Sequence, residues 1–291
     1  MTFVKEYKFK IMKQISNLNS LSKVWDIWKP KINSALGEQP TGKDIFELGE
    51  KLSAIFQTYE TDDRDQSTLS GGGAAWECLN VWFLNLLFWD TSIIVSRTNK
   101  ALVPECLRNA LTVSFSSIPT NTESDVSIFK IPESGILKSS KIEDINAHLE
   151  NKMSEIDFVN LQCKTNWNDN AQIPMLWDLI YNVQKFKISN ISVGIKGISP
   201  NSFSSFSYAF STVPTVKKAK FKKDSLAVLR VKNLSGGNYW GHPTDHGIAK
   251  CINELAGNHF ANEFRGGLIN HINESLKKDS SYLDRFIKLD F

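Results

Sequence analysis

Seventeen consecutive residues, Ala74 to Asp90 (AAWECLNVWFLNLLFWD), place apolar side chains on nearly every face of a helical wheel. A helix of that composition is stable only when neighbours cover most of its surface, so the chain is expected to build a layered core around it. Its most apolar part, Val81 to Trp89, is about half the length of a membrane span and is interrupted by Asn85. With 291 residues, 41% of them hydrophobic, there is ample material for one large domain. The opening MTFVKEYKFKIMKQI alternates charged and apolar residues and has no secretory h-region, so a soluble intracellular protein is expected. Cys78, Cys106, Cys163 and Cys251 lie far apart without a C-x-x-C pair, which fits reduced thiols in a cytoplasm.

The periodicity divides the rest. Residues 1–69 read as a helical N-terminal segment, with Ile11, Ile15, Leu18, Val24, Ile27 and Trp28 near a 3.6 period and Asp44 as a cap for the following helix. The glycines at 71–73 are read as a bend from which the apolar helix starts, with Glu77 in its first turn, where a carboxylate complements the helix dipole. Strands are expected at Asp125 to Ile131, Ile156 to Lys164, Ile188 to Lys196, Ser205 to Val213 and Asp224 to Val231. Helices are expected around KIEDINAHLENKM, from Ile173 to Val183, from Gly247 to Phe264 and from Leu268 onward. The fold class is therefore α/β.

Strand parity supplies the first chemical clue. With a period of two, Phe158, Asn160, Gln162 and Lys164 share one face and Val159, Leu161 and Cys163 the other, so polar groups gather at the strand's end. A phosphodiester repels nucleophiles with its own charge, and a hard cation on oxygen ligands both screens that charge and acidifies a water. Asp125 is the natural anchor for Mg²⁺, the Gln162 side chain and the Cys163 backbone carbonyl can add neutral oxygens, and Glu77 can restore the charge lost by having an amide at position 162. Lys164 is placed to steady charge building at phosphorus.

An acidic residue opening one strand, followed by a strand ending Gln162-Cys163-Lys164, resembles the PD-(D/E)xK nuclease core with Gln in the variable acidic position. The resemblance covers mainly 74–170, with looser support from 226–247. It departs from the commonest form in having Ser124 rather than Pro before Asp125 and a long spacing to Gln162, so an insert must loop out of the hairpin. It implies a restriction-endonuclease-like central mixed sheet flanked by helices, within a single domain (1–291) whose catalytic core spans 70–232, with a loop and C-terminal helices over 233–291. It further implies Mg²⁺-dependent cleavage of double-stranded DNA by a type II restriction enzyme, acting as a homodimer in a prokaryotic cytoplasm beside a cognate DNA methyltransferase as genetic partner. Within it, Asp125, Gln162, Lys164 and Glu77 are the catalytic set, and Asp125, Gln162, Cys163 and Glu77 the metal set.

The net charge of +3 (34 Lys and Arg against 31 Asp and Glu) is too small to imply an anionic partner, so the local distribution matters more. Lys217, Lys218, Lys220, Lys222 and Lys223 fall within eight residues, a cluster suited to phosphates or simply to solvent. After Lys164 the polar run Thr165, Asn166 and Asn168 offers further DNA contacts. Residues 233–246 (NLSGGNYWGHPTDH) read as a shaped loop, in which Asn238 can meet an adenine edge, Tyr239 a sugar, and His242 or His246 a base or phosphate.

Rival readings are weaker. His242, Asp245 and His246 suggest zinc, yet no third well-spaced His or Cys accompanies them. The glycine run lacks the G-K-[ST] of a phosphate-binding loop, and no G-x-S-x-G elbow supports acyl transfer. A noncatalytic DNA-binding module, a structure-specific repair nuclease and a protein-interaction role remain as alternatives.

Overall fold

The computed structural model describes residues 3–58, 66–120, 124–132, 141–165, 172–182, 190–214, 222–244 and 248–291, and of residues 66–71 the backbone alone. The N-terminal segment is helical as expected: α1 (Phe3–Ser16), α2 (Asn19–Leu36), α3 (Gly42–Leu48) and α4 (Leu52–Gln57). The cap of α3 is Thr41 rather than Asp44, with Asp44 at the third helical position completing a reciprocal capping box.

The apolar helix, α5 (Gln66–Leu87), is longer than its apolar stretch, and the glycines expected to form a bend lie inside it. Glu77 is consequently about three turns in, away from the dipole's positive end. There follow β1 (Ile93–Arg97), which the sequence reading missed, α6 (Glu105–Leu111), β2 (Val113–Phe115), β3 (Ile118–Thr120) and β4 (Val126–Lys130). Then come α7 (Ile142–Glu150), β5 (Asp157–Lys164), α8 (Gln172–Asn182), β6 (Ile191–Val193) and β7 (Ser205–Thr212). The chain closes with α9 (Leu226–Lys232), β8 (Asn238–Trp240), β9 (Lys250–Cys251), α10 (Leu255–His259), α11 (Leu268–Lys278) and α12 (Tyr282–Lys288).

Two expectations fail for the same reason, an ambiguous period. Where a strand was expected at 224–231, Leu226–Lys232 forms a helix: Val228 and Val231 go inward three residues apart while Leu226 and Leu229 stay exposed. Residues 247–264 are not one helix, because Lys250 and Cys251 pair in parallel with Tyr239 and Trp240, leaving only the five-residue α10 and 3-10 turns. Of the strand expected at 188–196, residues 188 and 189 lie outside the described residues, and within 190–196 the strand is β6, which joins a small antiparallel sheet, β3-β2-β6.

The main sheet is mixed and six-stranded, in the order β1-β4-β5-β7-β8-β9. Its first three strands are antiparallel neighbours and the pairs from β5 to β9 are parallel. α7 occupies the long β4–β5 connection, and α8 lies in the β5–β7 crossover. Helices flank the sheet, with α5 tied to it by Asn85 Nδ2, donating to the Val95 carbonyl at 2.8 Å, and by Ser211 Oγ, donating to Asn80 Oδ1 at 2.9 Å. On the face carrying Tyr208, the α8 ring of Tyr181 stacks at 5.5 Å between centroids. β5 is buried over Phe158–Cys163, so both its faces are covered, as befits a central strand.

One continuous apolar cluster runs from Tyr7 and Ile11 through Trp28, α5 and the sheet to Phe286. Just beyond the end of α5, the fully buried Lys8 donates to the carbonyls of Phe88, Trp89 and Thr91 and so ties α1 to the turn that leads into β1. No helix among the described residues is long and apolar enough to cross a membrane.

Candidate active site

Register decides which residues meet. Val126 lies opposite Leu161, so Asp125, one residue before β4, falls beside Gln162 and Cys163. Its Oδ2 accepts the Cys163 N–H at 2.7 Å, and its main-chain carbonyl accepts the Thr98 N–H at 2.9 Å, so β5 and the end of β1 hold it from either side. The Lys164 carbonyl accepts from Val213 N at 3.1 Å, so that peptide points toward β7. Peptide direction alternates along a strand, and the Cys163 carbonyl therefore points toward β4, alongside the Asp125 carboxylate.

A charged group that the sequence reading missed completes this end of the sheet. Arg97, last residue of β1, directs both Nε and Nη2 to Oε2 of Glu77, at 2.7 and 2.6 Å, with the two side chains 15% and 18% exposed. Burial pushes the Cys163 thiol well above its ordinary range, the negative charges of Asp125 and Glu77 push it further, and Lys164 and Arg97 pull back. As a buried thiol held in its protonated form, Cys163 is not a nucleophile.

Gln162 is placed differently from expectation. Its side chain is fully buried, and Oε1 accepts a hydrogen bond from the Tyr208 hydroxyl on β7. On the same face Asn160 Nδ2 donates to Ser124 Oγ at 3.1 Å, and Tyr181, within 3.0 Å of Ser124 Oγ, donates to the Leu111 carbonyl. The polar face of β5 is therefore a buried hydrogen-bond network beneath α8, closed to solvent as far as Gln162.

The expected DNA contacts divide. Parallel register sets Lys164 opposite Thr212, and Thr212 opposite Trp240, so β5, β7 and β8 all end at one edge of the sheet. Thr165, partly buried, and His242, partly exposed, are at that edge, and Lys222 and Lys223 are exposed. His242 donates from Nδ1 to the Pro243 carbonyl at 2.6 Å, which leaves Nε2 as its other polar atom. Asn238 and Tyr239, expected in a loop, instead form β8 and are buried. Asn238 Nδ2 donates to the Ile248 carbonyl and the Tyr239 hydroxyl to the Gly236 carbonyl, so these two donors are engaged within the protein. Asn166, Asn168, Lys217, Lys218, Lys220 and His246 lie outside the described residues, as does Asp245 of the zinc alternative.

Among the described residues no group of three or more His, Cys, Asp and Glu is close enough to hold a metal ion. The Asp125 carboxylate and, by peptide direction, the Cys163 carbonyl lie on the same side of β5. They suit a hard cation such as Mg²⁺, which needs one or two carboxylates and keeps several waters. No protein-family model matches the chain, and no curated protein matches it. The class defined by fold and site is an α/β protein with a mixed sheet and a charged cluster at one edge.

Proposed function

We propose that this protein is a Mg²⁺-dependent endonuclease of double-stranded DNA, of the type II restriction kind, on a restriction-endonuclease-like core. The observation that carries the reading is the Asp125 carboxylate on the Cys163 N–H, one residue before Lys164, within a β1-β4-β5-β7 sheet that runs antiparallel and then parallel. Asp125 and the Cys163 carbonyl are the groups that would hold Mg²⁺, and the bound ion would supply charge screening and a more acidic water. Asp125 is held for this role by its bonds to Cys163 and Thr98. Lys164 brings a positive charge to the strand end, where the non-bridging phosphate oxygens gather charge during attack. Action on a palindrome would call for a homodimer, and a restriction role for a methyltransferase acting on the same DNA in a prokaryotic cytoplasm.

The test is incubation with unmethylated plasmid and phage DNA in Mg²⁺ or EDTA, with Asp125→Asn and Lys164→Ala alongside. Discrete fragments that require Mg²⁺ and both side chains are expected. Intact DNA on every template, with equal binding in EDTA, refutes the reading. That result would favour a noncatalytic DNA-binding module, which the engagement of Gln162 by Tyr208 and of Glu77 by Arg97 supports as the second reading.

A further inference from the structure

The parallel half of the main sheet has a second end. Lys164, Thr212 and Trp240 close β5, β7 and β8 at the candidate active edge, whereas Ser235, Gly236 and Gly237 lead into β8, and Lys250 opens β9, at the other. A cleft of about 710 Å³ opens there, lined by Lys232 at the end of α9 and by Asn258 and His259 of α10. That volume falls in the range of pockets that hold small organic molecules.

Its walls are built from bonds within the protein. Asp178 of α8 accepts the Ser235 hydroxyl at 2.6 Å and the Ser235 N–H at 3.2 Å. Gly236 passes so close to β7 that a Cβ would lie 2.8 Å from the Tyr208 carbonyl oxygen, and Gly237 has φ +87°, so a loop of this shape requires both glycines. The Gly236 carbonyl accepts from the Tyr239 hydroxyl at 3.1 Å and faces His259 Nε2 at 2.9 Å. On another wall Lys250 Nζ donates to Asn258 Oδ1 at 2.9 Å, and Asn258 Nδ2 donates to the Tyr239 hydroxyl at 3.1 Å. A cleft held on this many sides has little ordering left to lose on binding.

The lining chemistry selects a ligand. Lys232 and Lys250, both exposed, bring two ammonium groups against the single carboxylate of Glu254, which accepts the Cys251 N–H at 2.8 Å. A carbonyl can only accept, so His259 Nε2 carries the proton and Nδ1 is the acceptor of a neutral ring. Burial, the leading cause, lowers the pKa of that imidazole below its ordinary value, which keeps the ring neutral near pH 7. Leu234 and Ile248, both buried, supply an apolar wall. A matching molecule carries an anionic head for the lysines, an N–H or O–H donor for Nδ1, and a flat apolar body.

We propose that this cleft binds a nucleoside monophosphate, its phosphate on Lys232 and Lys250, its base against Leu234 and Ile248, and a base or sugar donor on His259 Nδ1. The site is independent of the nuclease reading, since its lining includes none of Asp125, Gln162 and Lys164 and lies at the opposite end of the strands.

The experiment is equilibrium dialysis of the full-length protein with AMP, GMP, CMP and UMP, with inorganic phosphate and the four nucleosides as separated halves and melting curves in parallel. At least one nucleotide should bind about tenfold more tightly than either of its halves. Lys232→Gln and Lys250→Gln should each weaken it about fivefold, the effect of one unit charge near a phosphate in a largely aqueous setting. His259→Phe keeps a ring, loses the acceptor and should also cost about fivefold, one neutral hydrogen bond. Lys164→Ala, at the other edge, should leave affinity within about twofold.

Failure of every nucleotide to bind, phosphate binding as tightly as the nucleotide, or affinity unmoved by both lysine variants overturns the proposal. Loss of binding in Lys164→Ala does so too, since the ligand would then occupy the candidate active edge. Cleavage of DNA, present or absent, bears only on the nuclease reading, so the two readings fail separately.

Discussion

Replacing Tyr208 by Phe tests whether Gln162 belongs to the core or to the chemistry. Both residues have 0% exposure, and the Tyr208 hydroxyl donates to Gln162 Oε1 across the β5–β7 pair. A neutral hydrogen bond contributes about 1 kcal/mol net, and stranding a buried acceptor costs about 1–3 kcal/mol. Tyr208→Phe, which changes one oxygen and no packing volume, should therefore cost about 1–2 kcal/mol. Gln162→Leu strands the hydroxyl instead and should cost a similar amount. The double variant removes both polar groups and should cost less than the sum, leaving a coupling energy of about 1–2 kcal/mol. Urea denaturation at constant slope measures each corner of the cycle, and in a chain of this size about 1 kcal/mol corresponds to a melting shift of about 2 °C. Tyr208→Phe indistinguishable from wild type, with no coupling to Gln162→Leu, would refute the argument. So would stabilisation of the wild type by Mg²⁺ that Gln162→Leu alone abolishes, since that would make the amide a ligand after all.

Lys8→Met should destabilise the protein by about 1–3 kcal/mol, because an apolar side chain of similar length takes the ammonium donor from the Phe88, Trp89 and Thr91 carbonyls, of which Phe88 keeps the Thr91 N–H and hydroxyl. Thermal or urea unfolding measures this, and an unchanged or raised midpoint would show that burying the amine costs as much as its bonds return. A pH effect is also expected: burial, the leading cause at both sites, lowers the pKa values of His259 and His271 below the ordinary imidazole value of 6.5. As pH falls through that value the unfolded chain takes up protons that the folded chain refuses. Stability should therefore decline on acidification and level off once the folded-state pKa values are passed, and His259→Gln should flatten part of the slope measured by urea unfolding from pH 7.5 to 5.5. A slope unchanged in that variant would contradict the assignment.

Local pattern was sufficient wherever one period dominated. The all-round apolar run of α5, the alternation of β4 and β5, and the helix between them could be read directly, since side-chain direction is fixed by backbone repeat alone. The same parity placed Asn160, Gln162 and Lys164 on one face, and short sequence distance placed Cys163 between the last two. What covers that face was not legible. Tyr208 reaches Gln162 from 46 positions away, and the α8 residue Tyr181 reaches the Ser124–Asn160 pair, so a face that looked ready for metal is partly core.

Short or mixed patterns misled. Residues 226–231 satisfy two periods, and only packing against Phe210 and Trp240 selects the helix. Asn238 and Tyr239 have the composition of a loop and become strand because β7 offers a parallel edge on one side and β9 covers part of the other. Arg97 carried no signal at all, being one basic residue at the end of five, and its meaning comes entirely from Glu77, 20 positions earlier, folding back onto the same edge. The sequence by itself determined the α/β class, the core helix and the polar end of β5, because these depend on neighbours along the chain. Tertiary structure alone decided which polar groups are spent on each other and which remain for chemistry, because a buried donor or acceptor must find its partner wherever in space the fold supplies one.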